Sequence, residues 1–289
     1  MGLFDAVRRA LGRGDEDGKT GGDAPSRSDG AARSDNDASW GLDADAAAVD
    51  PQPGPRRRGG GHGRHWDTAV DGDEALRAVV ARTLDEGTVQ GSRVPGVDAV
   101  EYGAGTLRCR VLRRDGDVVT AFPVADGVAH ETTVTEVTQW ANDLEADASV
   151  VLGPEEFATY GASAWRVGGV PLGDASVEIA ALAYAVERAD EAAYETADGG
   201  EFSTREMAGF APVDGGGVAD YAFQTTVREV QRVPFFDANG YRFRVPLTRD
   251  GEETDYDTWL YAGAHAIDGR VPEAGEDVSG AFWVQADVR

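Results

Sequence analysis

The sequence predicts a mainly β body with few helices, carried behind a disordered linker. Three observations predict it. Apolar and polar residues alternate with a period of two in several stretches bounded by turn dipeptides. Large apolar residues nearly vanish between about Arg13 and Val70, where Gly, Asp, Ser, Ala, Pro and Arg dominate. Helical periodicity is confined to a few short windows.

Residues 1–12 read as an amphipathic N-terminal helix. Leu3, Phe4, Val7 and Leu11 fall on one stripe, with Arg8 and Arg9 outside it. Such a stripe suits a groove on a protein partner or an anionic membrane surface. Residues 13–70 bury too little apolar surface to offset the entropy of ordering, so they are expected to be disordered. Within them, Trp40 is a candidate partner anchor, and Arg56, Arg57 and Arg58 form a basic island suited to phosphate or an acidic surface.

Order is expected from Asp71. Asp71 and Glu74 have capping-box spacing, Leu76, Val79, Val80 and Leu84 follow at helical spacing, and Gly87 supplies the stop. Strands are then expected at 107–113 and 118–124 across an Asp115-Gly116 turn, and at 130–140 and 144–152 across Asn142-Asp143. Further strands are expected at 157–167, 177–188, 221–233, 241–247, 259–262 and 278–288, with turns at Asn239-Gly240 and Asp268-Gly269. One short helix is expected to open at Ser203. These elements divide into a helix plus β-rich module at 71–215 and a second β-rich module at 216–289.

The formal net charge is -25, from Asp+Glu 52 against Lys+Arg 27, and Lys19 is the sole lysine. Nearly all of the excess acid lies after residue 72. A large like-charge surplus repels in dilute salt and is screened within ~3 Å at molar ionic strength. The composition therefore points to a salt-adapted protein. The lone Cys109 excludes an internal disulfide and reads as a small buried strand residue. No run approaches the ~20 apolar residues of a membrane-spanning helix and no secretory signal is evident, so a cytoplasmic location is the expectation, with a peripheral membrane contact through the N-terminal helix as its variant.

Thr132-Thr133-Val134-Thr135-Glu136-Val137 recurs as Thr225-Thr226-Val227-Arg228-Glu229-Val230, and each copy leads through a turn into an apolar strand. A duplicated unit and a coincidence of common strand residues both fit this match. A strand leading to a hairpin, followed by the late segment Gly275-Glu276-Asp277-Val278-Ser279-Gly280-Ala281-Phe282-Trp283-Val284-Gln285, resembles the OB-fold, which implies one or two small five-stranded barrels. Together with Ile179-Ala180-Ala181-Leu182-Ala183-Tyr184 and the Phe282-Trp283-Val284-Gln285 ending, these features resemble an uncharacterised family of halophilic archaeal proteins with OB-fold-like β modules. Sandwich and mixed α+β architectures remain alternatives, and the resemblance implies no activity.

The chemistry-bearing residues give no constellation. His62 and His65 are close enough to share a metal, but no third ligand is evident; His130 and His265 read as ordinary strand and loop residues. No phosphate-binding loop or nucleophile elbow occurs, so no catalytic residue, metal or cofactor is assigned. Tyr241, Arg242, Arg244 and Trp259 are the nucleic-acid candidates, because rings interleaved with guanidiniums can stack on bases. Alternation places Tyr241 and Phe243 on one face and Arg242 and Arg244 on the other, which favours core against solvent. The expectation is a non-enzymatic binding or scaffolding protein with a protein partner. Single-stranded nucleic-acid binding through an OB-like face and an enzyme using buried carboxylates are the alternatives.

Overall fold

The computed structural model describes residues 61–103, 105–189, 193–195, 201–203, 205, 207–251 and 254–288. The expected helix at 1–12, Trp40 and the Arg56–Arg58 island lie outside the described residues. Described structure begins ten residues before Asp71. A 3-10 turn at Arg64–Thr68 buries Trp66, and His62, Ala69 and Val70 are buried with it. The linker expected to run to residue 70 therefore ends in a packed segment, because Trp66 and Val70 supply the apolar surface that its glycine-rich approach lacks.

Helix α1 (Asp73–Glu86) follows and stops at Gly87 as expected. Its N-cap is Gly72 at φ 86°, with no side-chain cap bond, so Asp71 does not form the predicted capping box. The chain then makes an antiparallel sheet of β1 (Thr88–Gly91), β2 (Val97–Tyr102), β3 (Leu107–Arg114) and β4 (Asp117–Ala125) in sequential order. Asp115 and Gly116, both at positive φ, turn the predicted hairpin between β3 and β4.

Apart from a separate two-stranded ribbon, the rest of the described body is a continuous sheet that closes on itself. Strand β5 (Val128–Gln139) is shared along its length. Its first half pairs with β8 (Gly173–Arg188) and its second half with β6 (Ala146–Leu152), with a register shift between Val134 and Glu136. Strand β6 pairs with β7 (Glu155–Gly161), and β7 runs parallel to β16 (Asp277–Val288). Strand β16 returns antiparallel to β8, which closes five strands into an OB-like barrel. A one-turn helix, α2 (Ala164–Val167), follows β7, where the sequence reading continues a strand to Val167.

A second circuit reuses the same two long strands. After β9 (Ala193–Glu195), β10 (Glu201–Ser203) and β11 (Gly209–Pro212), strand β12 (Asp220–Thr226) pairs with β16. Ser203 closes β10 rather than opening the expected helix. Past a kink at Val227 and Arg228, β13 (Glu229–Phe235) pairs with β14 (Ala238–Asp250), and β14 with β15 (Thr254–Gly263). Strand β15 lies parallel to β8 at Trp259–Tyr261. Thus β12 and β13 act as one bent first strand. Strand β8 is fourth in the first circuit and fifth in the second, and β16 is the reverse. A cut between 215 and 216 would run through both barrels.

The two six-residue repeats occupy equivalent places at the bend of each first strand. Thr132 Oγ1 donates to the Val151 carbonyl, and Thr225 Oγ1 donates to that of Pro246. Thr133 Oγ1 donates to Asp174 Oδ1, and Thr226 Oγ1 donates to Asp277 Oδ1. Glu136 opposes Ser149 directly after the register shift of the first pair, and Glu229 opposes Arg244 at the start of the β13–β14 pairing.

Two apolar layers result. One fills both barrels continuously, from Val134, Val150 and Phe157 through Ile179 and Phe282 to Phe243 and Val245. The other lies between the barrels' outer wall and the β1–β4 sheet, and contains Trp66, Leu107, Phe122, Trp140, Tyr160, Leu182, Tyr261 and Trp283. Burial at ~25 cal/mol per Å² of apolar surface is the main stabilising term in both. Gln285 of β16 joins the layers, donating to the Pro123 carbonyl at 2.7 Å and accepting from the Ala125 amide at 3.3 Å.

Asn239-Gly240 is not the predicted turn. The hairpin between β13 and β14 turns at Phe236, at φ 54°, and Asp237. Gly240 lies within the strand, where a Cβ would strike the Phe235 ring and come 2.8 Å from the Ala262 carbonyl. Its glycine serves close packing rather than a turn conformation.

Candidate functional site

Among the described residues, a group of ionisable side chains comes together away from solvent where the segment 61–70 meets the barrel wall. The turn at Arg64–Thr68 aims His62 and His65 inward, with their Nδ1 atoms 2.8 Å apart. His62 is 3% exposed, and its Nε2 bonds to Glu145 Oε1. Glu145, 2% exposed, stands at the end of the tight turn between β5 and β6. That turn is built by Asn142, whose Oδ1 accepts from the Leu144 and Glu145 amides at 3.1 and 3.2 Å, and by Asp143 at φ 57°.

Glu145 has further donors. Tyr160 Oη on β7 donates to Oε1 at 2.7 Å and Asn142 Nδ2 donates to Oε2. Burial, then the neighbouring carboxylate, pushes the Tyr160 hydroxyl well above its ordinary range, so it stays protonated as a donor. With Glu145 as a carboxylate, His62 carries its proton on Nε2. Its Nδ1 is then the acceptor for His65 Nδ1–H.

Aromatic rings hold the pair in place. His65 stacks on Trp283 at 3.9 Å with 6° between planes, and His62 stacks on Trp140 at 5.2 Å with 15°. Trp140 Nε1 donates to the buried Asp147 at 3.0 Å. At the far end, His65 Nε2 lies 4.0 Å from Asp220 Oδ1. Asp220 accepts from Tyr184 Oη at 2.8 Å and from the Gly217 amide at 2.6 Å. Burial followed by Asp220 raises Tyr184 well above its ordinary range. The result is a row of carboxylate, imidazole, imidazole and carboxylate spanning the barrel wall. It can hold and pass a proton, and it fastens residues 61–70 to the body. No group of three or more His, Cys, Asp or Glu among the described residues is arranged to hold a metal.

The other sequence candidates lie elsewhere. Arg242, Arg244 and Trp259 do come together on the outer face of β14 and β15, but not as an open stacking platform. The Arg242 guanidinium lies 4.1 Å from the Trp259 ring centroid and bonds Gln231 Oε1 at 2.9 and 2.6 Å. Arg244 bonds Asp257 at 2.9 Å. Tyr241 takes the opposite face, packing against the barrel interior beside Phe243, as alternation predicts. Cys109 is buried, with its thiol pushed up to about 12 by burial, and is therefore a protonated core residue. His130 Nε2 meets the Asp257 carbonyl at 2.9 Å, and His265 Nε2 meets that of Asp67 at 2.8 Å.

Sequence reasoning missed the buried row because glycines around His62 read as flexibility and because Glu145 was one acid among many. The available signal was Trp66 with Val70, an apolar pair at helical spacing directly after the histidines. No family model, curated protein or solved structure matches the chain.

Proposed function

We propose that the protein is a non-enzymatic binding or scaffolding protein of a salt-rich cytoplasm, in which the paired barrels form a rigid anchor and residues 1–60 reach a protein partner. The observation that carries this reading is the covering of the barrel's outer wall by the chain itself. OB-like barrels commonly take ligands on the face of their second and third strands. Here Tyr160 on that third strand lies 5.0 Å from the His62 ring and 5.1 Å from Phe122. The space a ligand would take is filled by residues 61–70 and β4. Glu145, the most buried carboxylate among the described residues, accepts from His62, Tyr160 and Asn142, so its oxygens hold structure together.

The apolar stripe of Leu3, Phe4, Val7 and Leu11 is the proposed contact, with Trp40 as a second anchor and the membrane surface as the competing target. No helix among the described residues is long and apolar enough to cross a membrane. Deleting residues 1–12 should abolish recovery of the partner in cross-linking from intact cells, while leaving the body's melting temperature in molar salt unchanged. An unaltered set of cross-linked proteins would overturn the reading. A gel shift with single-stranded DNA that Trp259→Ala abolishes would instead favour the nucleic-acid alternative.

A further inference from the structure

We propose that the His62–His65 pair is an acid-released latch on the segment that joins residues 1–60 to the body. The two Nδ1 atoms face each other at 2.8 Å, a distance that requires one N–H and one lone pair. The pair can carry one positive charge without breaking that bond. The charge then lies between Glu145, on His62 Nε2, and Asp220, 4.0 Å from His65 Nε2. A second charge must be placed on the one lone pair that makes the bond. Two N–H groups then oppose each other at hydrogen-bond distance, and the rings have to part.

The surroundings offer the second charge little relief. Glu145 already accepts from Tyr160 and Asn142, and Asp220 from Tyr184 and Gly217. Both tyrosines are held neutral by burial. Asp147 is engaged by Trp140. Arg64 and Asp67 of the same turn act on Tyr184, and Arg110 acts on Tyr160. The rings cannot rotate away in place, because His65 is stacked on Trp283 and His62 is packed among Trp140, Phe122 and Tyr160. Parting therefore means withdrawing the turn that carries both histidines.

Below ~6.5, where free imidazoles titrate independently, a released segment takes up two protons while the closed pair holds one. By linkage, closure weakens as pH falls below that value. Withdrawal exposes Trp283 and Tyr160 and lengthens the connection to residues 1–60. This follows from the junction alone and stands whether or not a partner binds.

Hydrogen exchange read by mass spectrometry on the full chain in molar salt tests the latch, at about pH 8 and about pH 5 and after correction for intrinsic rates. Peptides covering 61–70 should exchange at least ~10-fold faster at the lower pH, while β8 and β16 keep their protection. His65→Phe keeps a ring on Trp283 and removes the second titrating nitrogen, so its exchange at 61–70 should not change with pH. His65→Gln, which still donates to His62, should behave likewise and covers the case in which the Phe variant does not fold. Equal protection at both pH values in the parent would overturn the proposal. So would acid release that persists in the folded variants, or loss of protection in β8 and β16 together with 61–70.

Discussion

Glu145→Ala is expected to lower the stability of the folded chain by about 3–5 kcal/mol, read as a fall in the urea midpoint in molar salt. The substitution removes the acceptor of three donors in a place where water cannot replace it. His62, Tyr160 and Asn142 all lose their partner, and two of these three donors, His62 and Tyr160, are almost fully enclosed. A buried polar group left unpaired costs about 1–3 kcal/mol, and the three lie close enough that their losses do not simply add. Against a total stability of about 5–15 kcal/mol, the effect is large. Glu145→Gln keeps one acceptor oxygen and should cost about 1–3 kcal/mol. A change under about 0.5 kcal/mol for the alanine variant, the range of ordinary surface substitutions, would show that the group is hydrated and the row not enclosed.

Arg110→Ala is the second large effect, also about 3–5 kcal/mol. Arg110 sits on β3 with 1% exposure, and burial lowers the pKa of its guanidinium. It donates through Nε to Glu101 at 2.7 Å and through Nη1 to the Ala162 carbonyl, at the end of β7. Phe122 and Trp165 flank it at 5.9 and 5.5 Å. The residue therefore ties the β1–β4 sheet to the barrel, and its loss leaves the partly buried Glu101 carboxylate to Arg108, at 3.6 Å. Removing both charges is a different matter. Arg110→Met combined with Glu101→Leu replaces an enclosed ion pair by apolar volume, and should recover most of the loss. If the double variant is as unstable as Arg110→Ala, the bond to Ala162 rather than the ion pair carries the effect.

Much of the architecture was legible because strand alternation reports burial directly. Leu107, Cys109 and Val111 share one buried face and β3 is where they predict it, while Arg110 and Leu112 of the opposite face are buried too, which alternation did not announce. The match of Thr132–Val137 with Thr225–Val230 marked the bend of each first strand, since the threonine hydroxyls at that bend bond the neighbouring strand in both barrels. The sharing of β8 and β16 was not legible. Pairing partners separated by so much chain are set by tertiary closure, and nothing local in Ala180 or Trp283 announces which barrel wall it joins. The buried row was hidden for a related reason. Glu145, Asp220 and His62 come from three distant stretches, and an acid-rich chain offers no contrast by which one carboxylate stands out.

The joint ownership of β8 and β16 has a consequence during synthesis. Until Asp277–Val288 has been made, β7 and β8 lack a neighbour in the first barrel and β12 lacks one in the second. Neither half can mature alone on the ribosome, so folding waits for the last strand and proceeds through contacts of wide sequence separation, which are slow to form. Nascent chains stalled before Asp277 should be cut by protease as readily as denatured chain, and protected barrel fragments would contradict this. During that wait the exposed strand edges invite association between chains.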